Sequence, residues 1–329
     1  MTEQQNNKLQ QPQYIVMPEN MQSQFRNQDD GTDLLEIWNA IWAGKWLIIA
    51  ITFLFATASV IYAINQPNIY KATTVLAPAG DGASGGLSKL AGQFGGLASL
   101  AGINLGGGSV DKTGIALEVL KSRVFTEAFI EKHQLLVPLI AATDWDQKNN
   151  KLILDEELFN LQSNEWVREV SFPRTVIPSP WEAFEAFYKK TSVSQDKETG
   201  MVAISIEHYS PEIAKQWLVW LVKDINEQMR ATDQQEAQGS IDFLNEKLQS
   251  NQLASTMQSV FYQLIEEQTK ILMLTEVSKE YVLKTIEPAN APDEKAKPKR
   301  ALISVLGTLL GGMFSVAFVL IRHVLKKQK

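Results

Sequence analysis

The chain has no cysteine. That excludes a disulfide framework and any thiolate nucleophile or thiolate metal site. It has little histidine: His133, His208 and His323 stand far apart and show no metal-ligand spacing. It lacks a basic excess. A net charge of -6 and a pI near 5.3 argue against nucleic acid as a partner. No G-x-S-x-G nucleophile motif occurs. Proline is missing from Glu212 to about Thr285, where Gly239 is the single glycine, so nothing interrupts a helix there. What the chain does have is two long uncharged apolar runs. Trp46–Ile64 spans 19 residues and Ala301–Ile321 spans 21. A helix needs about 20 apolar residues to cross a bilayer, so both read as transmembrane helices.

The first run is not read as a cleaved signal peptide. Ala56-Thr57-Ala58 mimics a cleavage site, but 45 residues precede Trp46 and the start is Gln/Asn-rich, not basic. Orientation follows from the basic flanks. Lys45 lies just before the first run, with no basic residue after it until Lys71, and Arg322, Lys326, Lys327 and Lys329 follow the second. Both favour cytoplasmic termini. Lys295, Lys297, Lys299 and Arg300, just before the second run, pull the other way.

Residues 1–32 have almost no apolar pattern and read as a disordered tail. A short amphipathic helix over 33–45 follows, with Asp33 and Glu36 spaced as a capping box. Trp38, Trp42 and Trp46 recur every four residues and share one face. That stripe fits an interfacial membrane anchor, or ordinary packing against a neighbouring helix. Residues 46–64 are the first span, 65–300 the domain between the spans, 301–321 the second span, and 322–329 a short tail.

Within the domain, IYKATTVLAP (69–78) reads as a strand. Residues 79–114 hold 12 of the 19 glycines, with Leu87, Leu90, Phe94 and Leu97 at helical spacing. This suggests closely packed weak helices, or a mobile loop that orders in an assembly. Residues 116–135 read as one helix with an apolar face of Leu117, Leu120, Val124, Ala128 and Ile130. Residues 144–172 read as loops and short helices, and 181–190 as a helix opened by Pro178 and Pro180. Residues 191–196 and 201–208 read as a hairpin turning at Gly200, and Ser210-Pro211 as a helix start. The apolar stripe from Ile241 through Leu244 and Leu248 to Leu274 falters at Gln249–Asn251. It predicts a very long helix over about 211–285, or two in line, reaching about 100 Å if unbroken. Neighbouring copies of the chain would cover such a stripe.

The nearest nucleotide-site lookalike is GGGSVDKTG (106–114). A phosphate-binding loop would need glycine where Asp111 stands, and a carboxylate there repels phosphate. No catalytic, cofactor or metal residue is assigned. In the second span, Gly307 and Gly311 form a G-x-x-x-G motif followed by Gly312. Such a face packs closely against another helix: the first span, a second copy, or another membrane protein.

Several blocks, in order, resemble one family. DLLEIWNAIWAGKWLIIAITFLFATASVIYAINQPNIYKATTVLAP (33–78), LEVLKSRVFTEAFIEKH (117–133), SVSQDKETGMVAISIEH (192–208) and PANAPDEKAKPKR (288–300) are similar to stretches of the polysaccharide co-polymerases, the Wzz or chain length determinant proteins. These blocks are distributed over Asp33–Ile321, nearly the whole chain. The resemblance implies an α+β periplasmic domain with a very long extended helix, anchored in the bacterial inner membrane by two transmembrane helices with both termini cytoplasmic. It implies a ring-like homo-oligomer. The function implied is regulation of surface polysaccharide length, lipopolysaccharide O-antigen above all, beside a Wzy-type polymerase and the growing polysaccharide. It implies no enzyme activity and no cofactor. Some relatives carry or pair with a tyrosine kinase; eight residues after the second span, this chain resembles the kinase-free class. Glycan-contacting residues are not identified. The alternative is a two-span sensor with a periplasmic ligand domain acting through a partner; a periplasmic glycan hydrolase is a third reading, with no motif to recommend it.

Overall fold

The computed structural model describes residues 34–79, 111–249 and 255–327. The Gln/Asn-rich start with Asp33, the glycine-rich run with Leu87, Leu90, Phe94 and Leu97, the faltering point near Asn251 and the last two residues lie outside them. The chain divides into two compact units. One comprises Met1–Tyr62 and Ala301–Lys329; the other is Ala63–Arg300.

The Ala63–Arg300 unit is built on a four-stranded antiparallel sheet in the order β6-β7-β1-β8. In β1 (Tyr70–Pro78), Tyr70, Ala72, Thr74 and Leu76 are buried while Lys71 and Thr73 are exposed, the period-2 signature of a half-covered strand. β6 (Thr191–Gln195) and β7 (Val202–His208) form the expected hairpin. Asp196 caps its turn by accepting from the backbone N–H groups of Glu198 and Thr199 at 2.9 and 2.8 Å. Gly200 sits at φ +70°, where a side chain would be strained. β1 lies between β7 and β8 (Leu283–Glu287), with a register shift at Val75/Leu76.

Helices cover the sheet face carrying Ala72, Leu76, Ile204 and Ile206, and these residues merge into one core with the helices. The single helix expected over 116–135 is two: α3 (Lys112–Lys121) and α4 (Arg123–Lys132). Ser122 breaks it. Its backbone is extended (ψ 146°) and its hydroxyl accepts from the Phe125 N–H. The break resets the helical phase, so Phe125, Phe129 and Ile130 face the core, whereas Val124 is 74% exposed and Ala128 is exposed too. After the short α5 (Leu136–Ile140), the 144–172 stretch forms hairpins, not short helices: β2 (Ala142–Asp146) with β3 (Lys151–Leu154), and β4 (Phe159–Asn160) with β5 (Glu165–Trp166). Asp146 and Asn160 accept turn N–H groups, and Asn150 and Asn164 adopt positive φ. These residues make tight turns without glycine. α6 (Pro180–Lys190) starts with a complete capping box between Ser179 and Glu182. Arg168 grips Glu182 with two nitrogens, at 3.1 and 2.7 Å, and holds its carboxyl down to about 2.

The long helix is also shorter than its sequence pattern. α7 (Pro211–Gln249) runs 39 residues, roughly 60 Å, and α8 (Ser255–Val277) returns along it instead of continuing in line. The chain is back beside the middle of α7 by Tyr281, whose hydroxyl donates to Asp233 at 2.6 Å. The stripe expected to need neighbouring copies is thus partly covered within the chain: Ala237 and Leu244 of α7 are buried.

Two buried polar residues pin this arrangement. Asn226 of α7 accepts from the N–H groups of Val282 and Leu283 at 2.8 and 3.0 Å, and donates to the Leu283 carbonyl at 3.0 Å. It therefore stands in for a strand where β8 begins. Replacing Asn226 with alanine strands those buried groups; we expect a loss of about 3 kcal/mol in denaturant unfolding of the purified protein. His208, at the end of β7, accepts from the Ser210 N–H at 3.1 Å and donates to the Pro138 carbonyl at 3.0 Å, which fixes the neutral ring. Burial pushes its pKa down to about 4, with the Lys190 charge nearby acting in the same direction. The unfolded chain binds a proton near 6.5 that the folded one refuses. Stability from this site is therefore complete above pH 6.5 and falls by about 3 kcal/mol as pH drops to 4. A His208→Gln variant should show a flatter stability profile across that window.

Candidate membrane-spanning interface

α1 (Leu34–Ala43) and α2 (Lys45–Asn65) are nearly one helix, since Gly44 accepts from Ile48 and donates to Ala40 in the helical pattern. α9 (Arg300–Lys327) is the second long apolar helix. Mean hydropathies of 2.4 and 2.1 make α2 and α9 long and apolar enough to cross a membrane. α9 does not stop at Ile321; the tail expected from 322 is helical through Lys327.

Trp38, Trp42 and Trp46 are all exposed on α1 and the start of α2. Trp38 and Trp42 stack at 6.2 Å, and the Lys45 ammonium lies 4.8 Å over the Trp42 ring. An exposed indole stripe beside a cation suits the headgroup layer, where one edge of the ring is wet and the other is not.

The glycines of α9 pack against α2. A Cβ on Gly307 would overlap Ser59, and one on Gly311 would overlap Phe55. Gly312 is different: the nearest atom, Thr52 Oγ1, is 4.0 Å away, an ordinary contact. The close approach continues beyond the motif. Ser315 is fully buried, its hydroxyl donates to the Gly312 carbonyl at 2.7 Å, and Thr52 reaches it at 3.3 Å. With the Ser315 proton already used, Thr52 is the donor. One further turn on, Val319 fills the space that a side chain on Gly44 would need. The interface is therefore a four-residue repeat, Gly307, Gly311, Ser315 and Val319, set antiparallel against Ser59, Phe55, Thr52 and Gly44. Small residues let the backbones meet, and the hydroxyl pair satisfies itself where lipid offers no partner. The sequence reading singled out Gly307, Gly311 and Gly312 and did not name Ser315, Thr52, Ser59 or Gly44. The repeat Gly307-Gly311-Ser315 was the available signal.

The segments adjoining the spans meet in the other unit. The Arg300 guanidinium donates to the carbonyls of Ile64 and Gln66, both at 3.4 Å, and to Asn68 Oδ1 at 3.2 Å. Ile69 and Lys297 exchange backbone hydrogen bonds. Lys295 bonds Asn68 at 3.2 Å, and Lys297 pairs with Glu207 at 2.6 Å. The basic cluster before the second span is thus engaged in closing the domain.

The remaining candidates are structural. Asp111 caps α3 by accepting from the Gly114 N–H at 2.8 Å, and Lys112 is held by Asp233 and Tyr281, so the phosphate-loop lookalike presents no free lysine. His133 bonds Asp224 at 2.8 Å and stacks on Trp220 at 4.4 Å. His323 is exposed on α9. Among the described residues no three histidines or carboxylates gather as a metal site.

Fold and spans together define a membrane protein: an α+β domain inserted between two helices that pair through small residues. The profile of the family described as "Wzz: Chain length determinant protein" matches residues 30–133. That described as "GNVR: G-rich domain on putative tyrosine kinase" matches 245–324. Between them they take in both spans: the chain carries a chain length determinant domain around its first span and a G-rich domain around its second. Among solved structures it is similar to a full-length bacterial polysaccharide co-polymerase, at 14% identity over 90% of this chain and 99% of that one, with a TM-score of 0.38. It is also similar to a fragment of WzzB, a polysaccharide co-polymerase from Salmonella Typhimurium, at 14% identity over 70% of this chain and 100% of that one, with a TM-score of 0.29. Both scores are low, and the assignment rests on the two profiles. No curated protein matches the sequence.

The absence of cysteine makes the interface easy to probe. A Thr52→Cys/Ser315→Cys pair should oxidise to a disulfide within one chain in isolated membranes, and adding Gly311→Ile should reduce its yield several-fold. Cross-links formed only between chains would show that the stripe serves a second copy instead.

Proposed function

We propose that this protein regulates the chain length of a surface polysaccharide, lipopolysaccharide O-antigen above all, as a non-enzymatic scaffold. One observation carries the reading most: the chain length determinant profile matches the first span and the start of the domain, a G-rich domain profile matches the second span, and the spans bracket a single domain folded from both of its ends. Such a domain suits holding and presenting a polymer. The partners are further copies of the chain in a ring-like assembly, the growing polysaccharide and a Wzy-type polymerase. Repeated weak contacts around a ring would make release depend on polymer length through avidity.

The scaffold lies in the bacterial inner membrane with both termini cytoplasmic and the domain periplasmic. Lys45, Arg322 and Lys326 support that orientation. The opposing residues Lys295, Lys297 and Arg300 have a structural occupation that accounts for their presence on the outer side. The engagement of Lys112, His133 and His208 in structural bonds supports a non-catalytic role for the domain.

Deleting the gene should replace the modal ladder of surface polysaccharide on a gel with an unregulated spread, and complementation should restore it. A ladder that is the same with and without the gene rules the function out.

A further inference from the structure

α4 and α6 start side by side, with Phe129 and Phe187 in contact at 5.4 Å in their buried seam. On the outward side of α6, Trp181, Phe184 and Tyr188 follow one another along the helix. Their centroids are 5.9 and 5.8 Å apart, and Trp181 and Tyr188 are 53% and 58% exposed. The start of this helix is held rigidly by the capping box and by Arg168, which also donates to the carbonyls of Thr175 and Val176. Two exposed rings joined by the half-buried Phe184 on a rigid helix are not needed for the core, which Ala183 and Phe187 supply from the opposite side.

We propose that the ladder Trp181–Phe184–Tyr188 is a glycan platform on which successive sugar rings of an uncharged polysaccharide segment stack. This rests on the reading that the protein handles a surface polysaccharide. The faces of sugar rings are rows of C–H bonds, and these lie favourably on the electron-rich faces of aromatic rings. The spacing of the rings is of the order of one sugar unit. The charges beside the ladder fit a neutral polymer. Arg123 pairs with Glu127 at 3.7 Å and Glu185 with Lys189 at 3.9 Å, so each of these flanking charges has its partner. Arg123 also lies 5.9 Å over the Trp181 ring, placing donors at one end of the platform. Sugar hydroxyls can take the place of water on these groups. A second copy pressed flat on the same face would have to strip water from both exposed pairs, at a cost that such contacts seldom recover.

The test uses the full chain in lipid nanodiscs, with the host's own surface polysaccharide released from its lipid as the probe. Wild type should bind it in calorimetry. A Trp181→Ala/Tyr188→Ala variant should bind about tenfold more weakly, with oligomer mass and melting temperature unchanged. Trp181→Phe/Tyr188→Phe should retain most of the binding, and in cells the alanine variant should shift the modal length. No binding by wild type, or equal binding by the alanine variant, overturns the platform. A fall in oligomer mass without loss of binding overturns it too, by assigning the face to a contact between copies. If gene deletion alters the ladder while the alanine variant matches wild type in binding, the platform alone fails and the function stands. If deletion leaves the ladder unchanged, the function itself fails.

Discussion

The strand that leaves the first span and the strand that precedes the second lie side by side in one sheet. The rest of the molecule depends on this constraint. β1 is flanked by β7 and β8, Ile69 bridges to Lys297, and Arg300 gathers the carbonyls at the end of α2. Neither edge of β1 is left unpaired, so the first strand of the domain is also an interior one. A domain closed in this way returns the chain to within a few residues of where it began.

Several of the polar groups that this closure buries are tied between elements. Asn226 supplies hydrogen bonds that strand pairing cannot reach where the chain turns from α8 into β8. His208 ties the end of β7 to the start of α7 and to the α5 segment. Asp224 is buried but accepts from Lys132 and faces His133, joining α4 to α7. Within the spans the same rule holds with hydroxyls: Thr52 and Ser315 answer each other. Each satisfied group fixes one relation between elements, and each would be costly to leave alone.

Local signals in the sequence told most where side chain and backbone agree. β1, the β6–β7 hairpin with Gly200, the Ser210-Pro211 start and the α6 capping region are all readable from residue type and spacing. The misreadings share a cause. At Ser122 a helix-compatible composition conceals an internal cap, which shifts the buried face from Val124 and Ala128 to Phe125 and Phe129. Between 144 and 172, asparagine and aspartate make turns that glycine usually marks. In α7 and α8 the apolar stripe says that something must cover it, but not that the same chain folds back to do so. The interface between the spans was half legible for the same reason: Gly307 and Gly311 announce a close approach, while Ser59, Phe55 and Thr52 become their partners only through the fold. Trp181, Phe184 and Tyr188 carry the same helical spacing as a buried face, and only the exposure of Trp181 and Tyr188 distinguishes them.

Sheet order also sets a timetable. Thr74 in β1 gives its hydroxyl proton to Glu287, 213 residues further along the chain. During synthesis β1 therefore emerges first and waits for nearly the whole domain before its second neighbour exists. The first membrane helix waits longer. Thr52 is threaded into lipid as an unpartnered hydroxyl, and its acceptor arrives only when the last helix is made. Until then nothing but its own backbone is available to it. Closing the sheet and seating the second helix are both late events.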